Sequence, residues 1–235
     1  MAKRQKIKLS ELWAKVDFSK PSAWMLIFSN IIVIFFAVID NLSAVEVLWI
    51  YWIQSVIIGI FNFIKILLLK EFSTAGFKRG AGGELPATKA AKISTAIFFL
   101  LHYGFFHFVY AMFLGGFSGI TRESSSGSQA DYLLFTSLIF FISYLIEYVQ
   151  STRTPPEEIP NLGAVMFAPY FRIIPMHMTI IFGGFISMLG AIFAVKIDLA
   201  IIILFVGIKT YVDLLTHAVD FYSFSKQLAS EQVET

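Results

Sequence analysis

Cysteine is absent from the 235-residue chain, and its absence excludes several kinds of chemistry. Without thiols the protein has no disulfide framework, thiolate metal site, iron–sulfur cluster or covalently attached c-type haem. Charge is also scarce, because Asp, Glu, Lys and Arg together make up 14% of the residues, against about a quarter in soluble domains. No connection between the apolar stretches is long enough to form a soluble domain. Any function therefore has to lie within those stretches or at their ends.

Apolar residues are correspondingly abundant in the sequence. Hydrophobic types account for 57% of the sequence, Phe alone occurs 26 times, and the mean hydropathy is +0.74. Crossing a bilayer takes about 20 apolar residues, and six segments approach that length: residues 24–39, 45–69, 93–114, 132–149, 173–195 and 199–222. The sequence therefore predicts an all-α polytopic membrane protein, with a six-transmembrane-helix bundle in a domain spanning residues 22–223.

The distribution of Lys and Arg predicts the orientation of this bundle. They are concentrated in the N-terminal segment and in the loop between the second and third spans. Loops that stay on the cytoplasmic side carry such an excess of positive charge. We therefore expect a protein of the prokaryotic inner membrane with both termini in the cytoplasm, including a cytoplasmic tail at residues 224–235.

Two further segments are predicted to lie at the membrane surface. In residues 1–21, apolar side chains including Leu12, Trp13 and Val16 recur at helical spacing among lysines, which indicates an amphipathic helix on the inner leaflet. A solvated charged end is the alternative. A second interfacial piece is expected at residues 161–171, after a proline-containing breaker run.

Polar side chains from several predicted spans fall at a similar depth. At about 1.5 Å of rise per residue, the following lie near the cytoplasmic edge: Asn62, Lys65, Glu147, His177, Asp213 and His217, with Arg172 and Lys209 close by. Ionisable groups inside a membrane are costly and usually mark a functional site. The alternative is a set of hydrogen bonds that only fix the bundle, which is our expectation for Asn30, Gln54 and Asn62.

The histidines and carboxylates in this set predict a metal site. Asp213 and His217 are four residues apart and share a helix face, and Lys209 extends the same stripe. We predict a zinc site formed by His102, His177 and His217 with Asp213 or Glu147, because nitrogen and oxygen ligands suit zinc when thiolates are lacking.

His102 and His107 compete for a place in this site. The two are five residues apart, which separates them by about 140° around a helix, so both cannot face one site. We expect His102 to point inward, because its depth matches that of the other candidate ligands. His107 is then the doubtful member of the set.

Three stretches resemble an uncharacterised prokaryotic family of small polytopic membrane proteins, known only as a domain of unknown function. They are residues 49–62, residues 102–107 and residues 171–177, the last leading to Lys209 and to Asp213-x-x-x-His217. The resemblance covers most of the chain and implies no particular activity. A more distant chemical analogy is to zinc lipid hydrolases of the alkaline ceramidase and adiponectin-receptor type, but the seventh span and the His-x-x-x-His pair of those proteins are missing here.

Four functions are compatible with these observations. The leading hypothesis is a zinc-dependent, lipid-directed hydrolase in which Asp213 and Glu147 are the catalytic carboxylates. The first alternative is a proton- or ion-coupled transporter or channel in which the same carboxylates, Lys209 and the histidines carry protons or a small ion. The others are a b-type haem held between His102 and either His177 or His217, and a structural subunit. Membrane lipids are the expected partners, homo-oligomers are a further option, and nucleic acid is not an expected partner.

Overall fold

A computed structural model describes most of the chain. The described residues are 13, 16, 18–19, 21–39, 42–78, 83–121, 134–135, 137–142, 144–146, 148–149, 159–193 and 197–218. Some helical residues within these ranges, including Arg172 and His217, are described only by their backbone. The predicted interfacial helix of residues 1–21 falls mostly outside the described part, and the tail of residues 224–235 falls entirely outside it.

The described chain is helical, which confirms the predicted all-α class. The helices are α1 (Pro21–Ile39), α2 (Ala44–Leu68), α3 (Lys89–Thr121), α4 (Leu162–Phe167), α5 (Tyr170–Phe193) and α6 (Asp198–Ala218). The described residues between 134 and 149 are helical as well. Isolated bridges at Ser73–Asn161 and Lys78–Glu84 are the only β-type pairings in the part of the chain that can be described.

Two helices are long and apolar enough to cross a membrane, namely Ala44–Leu68 and Lys89–Gly116. They correspond to the second and third of the six predicted spans. The other predicted spans coincide with α1, with the helical residues of 134–149, with α5 and with α6, but within the described residues these do not meet the same criterion of length and hydropathy. The predicted interfacial piece at 161–171 contains the short helix α4, and its location at the membrane surface stays a prediction.

Local polar contacts determine where the helices begin. Ser43 and Glu46 form a reciprocal capping box at the start of α2, which satisfies backbone N–H groups that have no partner inside the helix. The next N–H, that of Ala44, donates to the carboxylate of Asp198 at a distance of 3.1 Å. The side chain of Asn161 accepts from the backbone N–H of Ala164 and so begins α4.

Contacts between named residues give the relative directions of the helices. Lys92 on α3 donates to the carbonyl of Leu69 at the end of α2, and Trp52 on α2 donates to the carbonyl of His107 further along α3. Residue numbers therefore rise on one helix as they fall on the other, and α2 and α3 are antiparallel. The same reasoning makes α2 and α6 parallel, because Ala44 meets Asp198 and Tyr51 packs on Phe205.

Helices α3 and α5 are parallel to each other. His102 on α3 pairs with Tyr170 on α5, and Tyr110 on α3 pairs with His177 on α5, so residue numbers rise together. The chain leaves α3 at one end of the molecule and has to return before α5 begins. The described helical residues between 134 and 149 lie on that return path.

Buried apolar residues form two main clusters. The first joins α2, α3, α4 and α5 around Ile66, Phe99, Leu162 and Met176. The second joins α1, α2, α3 and α6, with Leu114 buried completely. Large apolar side chains also cover the outside of the helices. On α3 a continuous stripe is at least half exposed: Ile97, Leu101, Phe105, Phe108 and Met112.

Candidate functional site

Two histidine–tyrosine pairs connect α3 to α5. Nδ1 of His102 lies 2.9 Å from the hydroxyl of Tyr170, and Nδ1 of His177 lies 3.3 Å from the hydroxyl of Tyr110. The ring of His102 also stacks on Phe98. Each imidazole is therefore engaged with an aromatic residue of the opposite helix, and both imidazoles remain exposed on one side.

The expectation that His102 points inward and His107 does not is wrong. His102 is exposed, whereas His107 is 4% exposed and makes two hydrogen bonds. The two histidines point in different directions around α3, as expected, but His107 is the one that faces the neighbouring helix. The side of α3 that carries His107 faces α2, where Ser55 and Trp52 supply polar partners.

A buried hydrogen-bond network surrounds His107. Its Nδ1 lies 2.9 Å from the carbonyl oxygen of Tyr103, and its Nε2 lies 2.9 Å from the hydroxyl of Ser55. Because a carbonyl can only accept, Nδ1 carries the proton. In the neutral imidazole Nε2 is then the acceptor, and Ser55 donates to it. The Tyr103 hydroxyl lies 2.8 Å from the same serine hydroxyl and donates to the Ser55 carbonyl.

Close backbone approach makes this network possible. A Cβ atom placed on Gly59 would lie 2.5 Å from the ring of Tyr103, a distance that real side chains do not tolerate. Glycine at this position of α2 therefore lets the tyrosine ring lie against the helix backbone. This contact brings the hydroxyl of Tyr103 within reach of Ser55, one turn before Gly59.

A second polar centre lies where α1, α2 and α6 meet. Lys209 forms an ion pair with Asp213, one turn further along α6. The Lys209 ammonium also donates to Oδ1 of Asn30 on α1, at 3.2 Å, and lies 5.2 Å from the centre of the Tyr51 ring on α2. The Lys209 ammonium is thus held by groups from three helices. Its contacts with the carboxylate and the amide are charge-assisted hydrogen bonds, and its contact with the tyrosine ring is a cation–π interaction.

A small cavity with both polar and apolar walls, called the polar cavity below, joins the two centres. Its volume is about 100 Å³, and roughly 10–15 Å³ is enough to hold one water molecule. Its polar lining consists of Tyr51, Gln54, Ser55, Lys209 and Asp213, while Pro175 and Met176 of α5 contribute to its wall. Ser55 therefore faces this cavity and also hydrogen-bonds to His107.

A larger cavity of about 710 Å³ lies between α3, α4, α5 and the loop at residues 75–77. Its walls are mostly apolar and include Phe77, Phe106, Phe167 and Ile174. The pair formed by Tyr110 and His177 supplies polar atoms to it. Nothing in the sequence pattern indicated this cavity, because its walls come from four segments that are distant along the chain.

The described side chains do not form the predicted zinc site. Among them no group of three or more histidines, aspartates or glutamates could hold a metal ion. His102 is level with Tyr170 and His177 is level with Tyr110, so the two histidines are offset by about 10 Å along parallel helices. Asp213 is paired with Lys209 instead. A zinc site or haem site that includes His217 stays a prediction.

The remaining predicted site residues have different outcomes. Asn62 donates to the carbonyl of Val165 at 3.1 Å and links α2 to α4, a hydrogen bond between helices of the expected kind. Asn30 also makes a hydrogen bond between helices, through its contact with Lys209. Glu147 lies outside the described residues, and so do the side chains of Arg172 and His217.

Several residues of the site were missed by the sequence analysis. Ser55, Tyr103, Tyr110 and Tyr170 all take part in the contacts of the histidines. Serine and tyrosine are common in apolar helices and carry no charge, so their presence alone gave no signal. A search for hydroxyl groups at the depth of each histidine would have included Tyr110 and Tyr170.

The fold and the site define an all-helical protein with apolar outer surfaces and a polar centre shared by several helices. The chain belongs to a family of unknown function, DUF6498, whose model matches residues 12–230. This confirms the resemblance to an uncharacterised family. A comparison with curated proteins and with solved structures gave no match.

Proposed function

We propose that the protein is a six-span integral membrane protein that moves protons through its polar core. In this proposal both termini are cytoplasmic and the protein lies in a prokaryotic inner membrane, as the distribution of Lys and Arg indicates. The observation that carries the proposal is the Lys209–Asp213 ion pair, which is held between three apolar helices and faces a polar cavity.

Exposed apolar surface supports the membrane location. Beyond the two helices that are long and apolar enough to span a membrane, α1 exposes Phe28 and Phe35, and α5 exposes Ile181 and Phe182. Soluble monomers rarely expose contiguous apolar patches of this kind. A lipid environment removes the cost of such surfaces, because hydrocarbon chains are as apolar as the side chains themselves.

The directions of the helices support six crossings. If α3 and α5 both cross the membrane, their parallel arrangement requires another crossing between them. The helical residues between 134 and 149 can supply it. Their described apolar side chains, which include Leu134, Phe135, Leu138 and Ile146, are largely exposed. Helices α1 and α6 complete an alternating arrangement, since Asn30 meets Lys209 while Ala23 packs with Leu214.

Ionisable groups inside apolar helices support proton transfer. A charged pair at this depth is costly to maintain, and such pairs in membrane proteins mark ion or proton pathways. In this proposal Asp213 accepts a proton from a hydronium ion in the polar cavity, which neutralises the carboxylate and leaves neutral water, while Lys209 keeps its contact with Asn30. The cavity is large enough to hold water, and in this proposal that water connects the carboxylate to Ser55.

The hydroxyl of Ser55 provides the next step. A proton delivered by water to the Ser55 oxygen allows the hydroxyl proton of that serine to move to Nε2 of His107. The product is an imidazolium with protons on both nitrogens, and the serine is regenerated. For net transport, the imidazolium has to release a proton on the side away from Ser55, after which the imidazole and the serine hydroxyl return to their original arrangement. His107 and Asp213 are therefore the two proton-binding groups of the proposed path.

Proton flux into liposomes tests the proposal. Purified protein is reconstituted with a trapped pH-sensitive dye, and a potassium gradient with valinomycin imposes an inward driving force. We expect acidification by wild-type protein and loss of it in Asp213→Asn. Asp198→Asn is the matched control, because it makes the same change on the same helix at an exposed position. Wild-type flux no greater than that of empty liposomes would contradict the proposal.

A further inference from the structure

The 710 Å³ cavity has the size and the walls of a site for an apolar ligand. Ligand pockets usually measure about 300–1,000 Å³ and combine apolar walls with a few polar groups. Here the polar side chains are largely engaged already. Asn161 accepts from Ala164 and donates to the carbonyl of Ala75, and the hydroxyl of Tyr110 pairs with His177. The part of a ligand that enters this cavity must therefore be apolar.

The cavity opens to the side of the helices. Phe167 and Ile174 are each about half exposed at its edge, and His177 is exposed beside them. The surface next to the opening continues with exposed Ile181 on α5 and Phe105 on α3. In a membrane this surface contacts lipid chains, so a chain can enter from the bilayer without crossing water.

Positive charge lies at one end of the cavity. The wall residue Phe77 precedes Lys78, and this loop lies at the end of the molecule where α2 ends and α3 begins. Among the described residues at that end, the exposed lysines are Lys65, Lys70, Lys78 and Lys89, and the exposed carboxylates are those of Glu71 and Glu84. Glu84 also accepts from the backbone N–H of Gly76 in the same loop. The positive charge of these described side chains complements an anionic headgroup.

We propose that this cavity binds one acyl chain of an anionic phospholipid, whose headgroup lies at the lysine-bearing end near Lys78. The proposal depends on the membrane location of the protein and not on proton transfer. It accounts for the lateral opening, the apolar walls and the excess of lysine with a single ligand. A binding site for lipid in this position would also stabilise the contact between α3 and α5, which border the cavity.

Native mass spectrometry of detergent-solubilised protein tests the proposal. The protein is incubated with phosphatidylglycerol or with phosphatidylcholine of the same acyl chains. We expect one retained phosphatidylglycerol per chain and weaker retention of phosphatidylcholine. Equal retention of the two lipids would overturn the anionic headgroup, and absence of retained lipid would overturn the site.

Two variants with one control locate the bound lipid. Ala164→Phe places a ring in the cavity and should remove the retained lipid, whereas Leu101→Phe adds a ring on the exposed surface of α3 and should not. Lys78→Gln, an exposed change that leaves the apolar walls intact, should reduce the preference for phosphatidylglycerol by about fivefold. Retention by Ala164→Phe equal to that by Leu101→Phe, or an unchanged preference in Lys78→Gln, would contradict the proposal. Proton flux measured on the same variants separates this result from the failure of the proposed proton pathway.

Discussion

The hydroxyl oxygen of Ser55 on α2 lies 2.9 Å from Nε2 of His107 on α3. The other imidazole nitrogen donates to the carbonyl of Tyr103 one turn earlier on the same helix. These two contacts determine the tautomer of a buried histidine and direct its acceptor nitrogen toward α2. Because Ser55 also lines the polar cavity, the histidine is connected to Asp213 on a third helix.

Replacement of His107 tests how much this network contributes to the stability of the protein. His107→Ala removes two buried hydrogen bonds, to the Ser55 hydroxyl and to the Tyr103 carbonyl, which together contribute about 1–3 kcal/mol. We expect a decrease of that size in the free energy of unfolding, measured by SDS titration in detergent micelles. His102→Ala, at an exposed position on the same helix, should have a smaller effect. Equal effects of the two substitutions would mean that His107 is not held as described.

The contact between Gly59 and Tyr103 predicts that substitution by alanine has opposite effects on stability at Gly59 and at Gly104. Gly59→Ala forces a methyl group against the tyrosine ring, and overpacking of this kind costs about 1–3 kcal/mol. Gly104→Ala meets no atom within 4 Å and should stabilise the protein by up to about 1 kcal/mol, because alanine favours helix. Thermal unfolding followed by circular dichroism measures both. Tolerance of Gly59→Ala would contradict the close packing of α2 on α3.

The ion pair of Lys209 and Asp213 predicts that substitutions of the two residues have non-additive effects on the free energy of unfolding. Lys209→Met removes the cation beside a carboxylate that is only 16% exposed. We expect the free energy of unfolding to fall by about 3 kcal/mol, the lower end of the range for broken buried pairs. The double variant Lys209→Met with Asp213→Leu should lose less, because no charge remains buried. SDS titration of the three proteins decides this, and a double variant less stable than Lys209→Met would refute it.

The absence of cysteine allows a direct test of topology. Ala87→Cys lies at an exposed position in the loop before α3, which the proposed orientation places in the cytoplasm, and Ser125→Cys lies in the predicted outer loop. In bacterial spheroplasts a membrane-impermeant maleimide should label Ser125→Cys, and it should label Ala87→Cys only after permeabilisation. The reverse pattern would show that the orientation is inverted.

Length and hydropathy were enough to predict most of the helices, including α2, which was expected at residues 45–69 and is found at Ala44–Leu68. The spacing of Lys209 and Asp213 also predicted that they share one face of α6, and the ion pair follows from that spacing. The sequence gives the depth of a side chain along a helix axis, but not the direction in which it points. That direction depends on packing contacts such as Gly59 against Tyr103. For this reason His107 was not expected to face the neighbouring helices, and His102, His177 and Asp213 were incorrectly expected to form one cluster.

The proposed path depends on Ser55, because it connects the polar cavity to His107. The most direct test of the account is proton flux in proteoliposomes that contain Ser55→Ala, a variant that keeps both members of the ion pair. We predict flux reduced to the level of Asp213→Asn, with Ser55→Thr restoring it because threonine retains the hydroxyl. Flux equal to that of the wild type in Ser55→Ala would contradict a proton path through this residue.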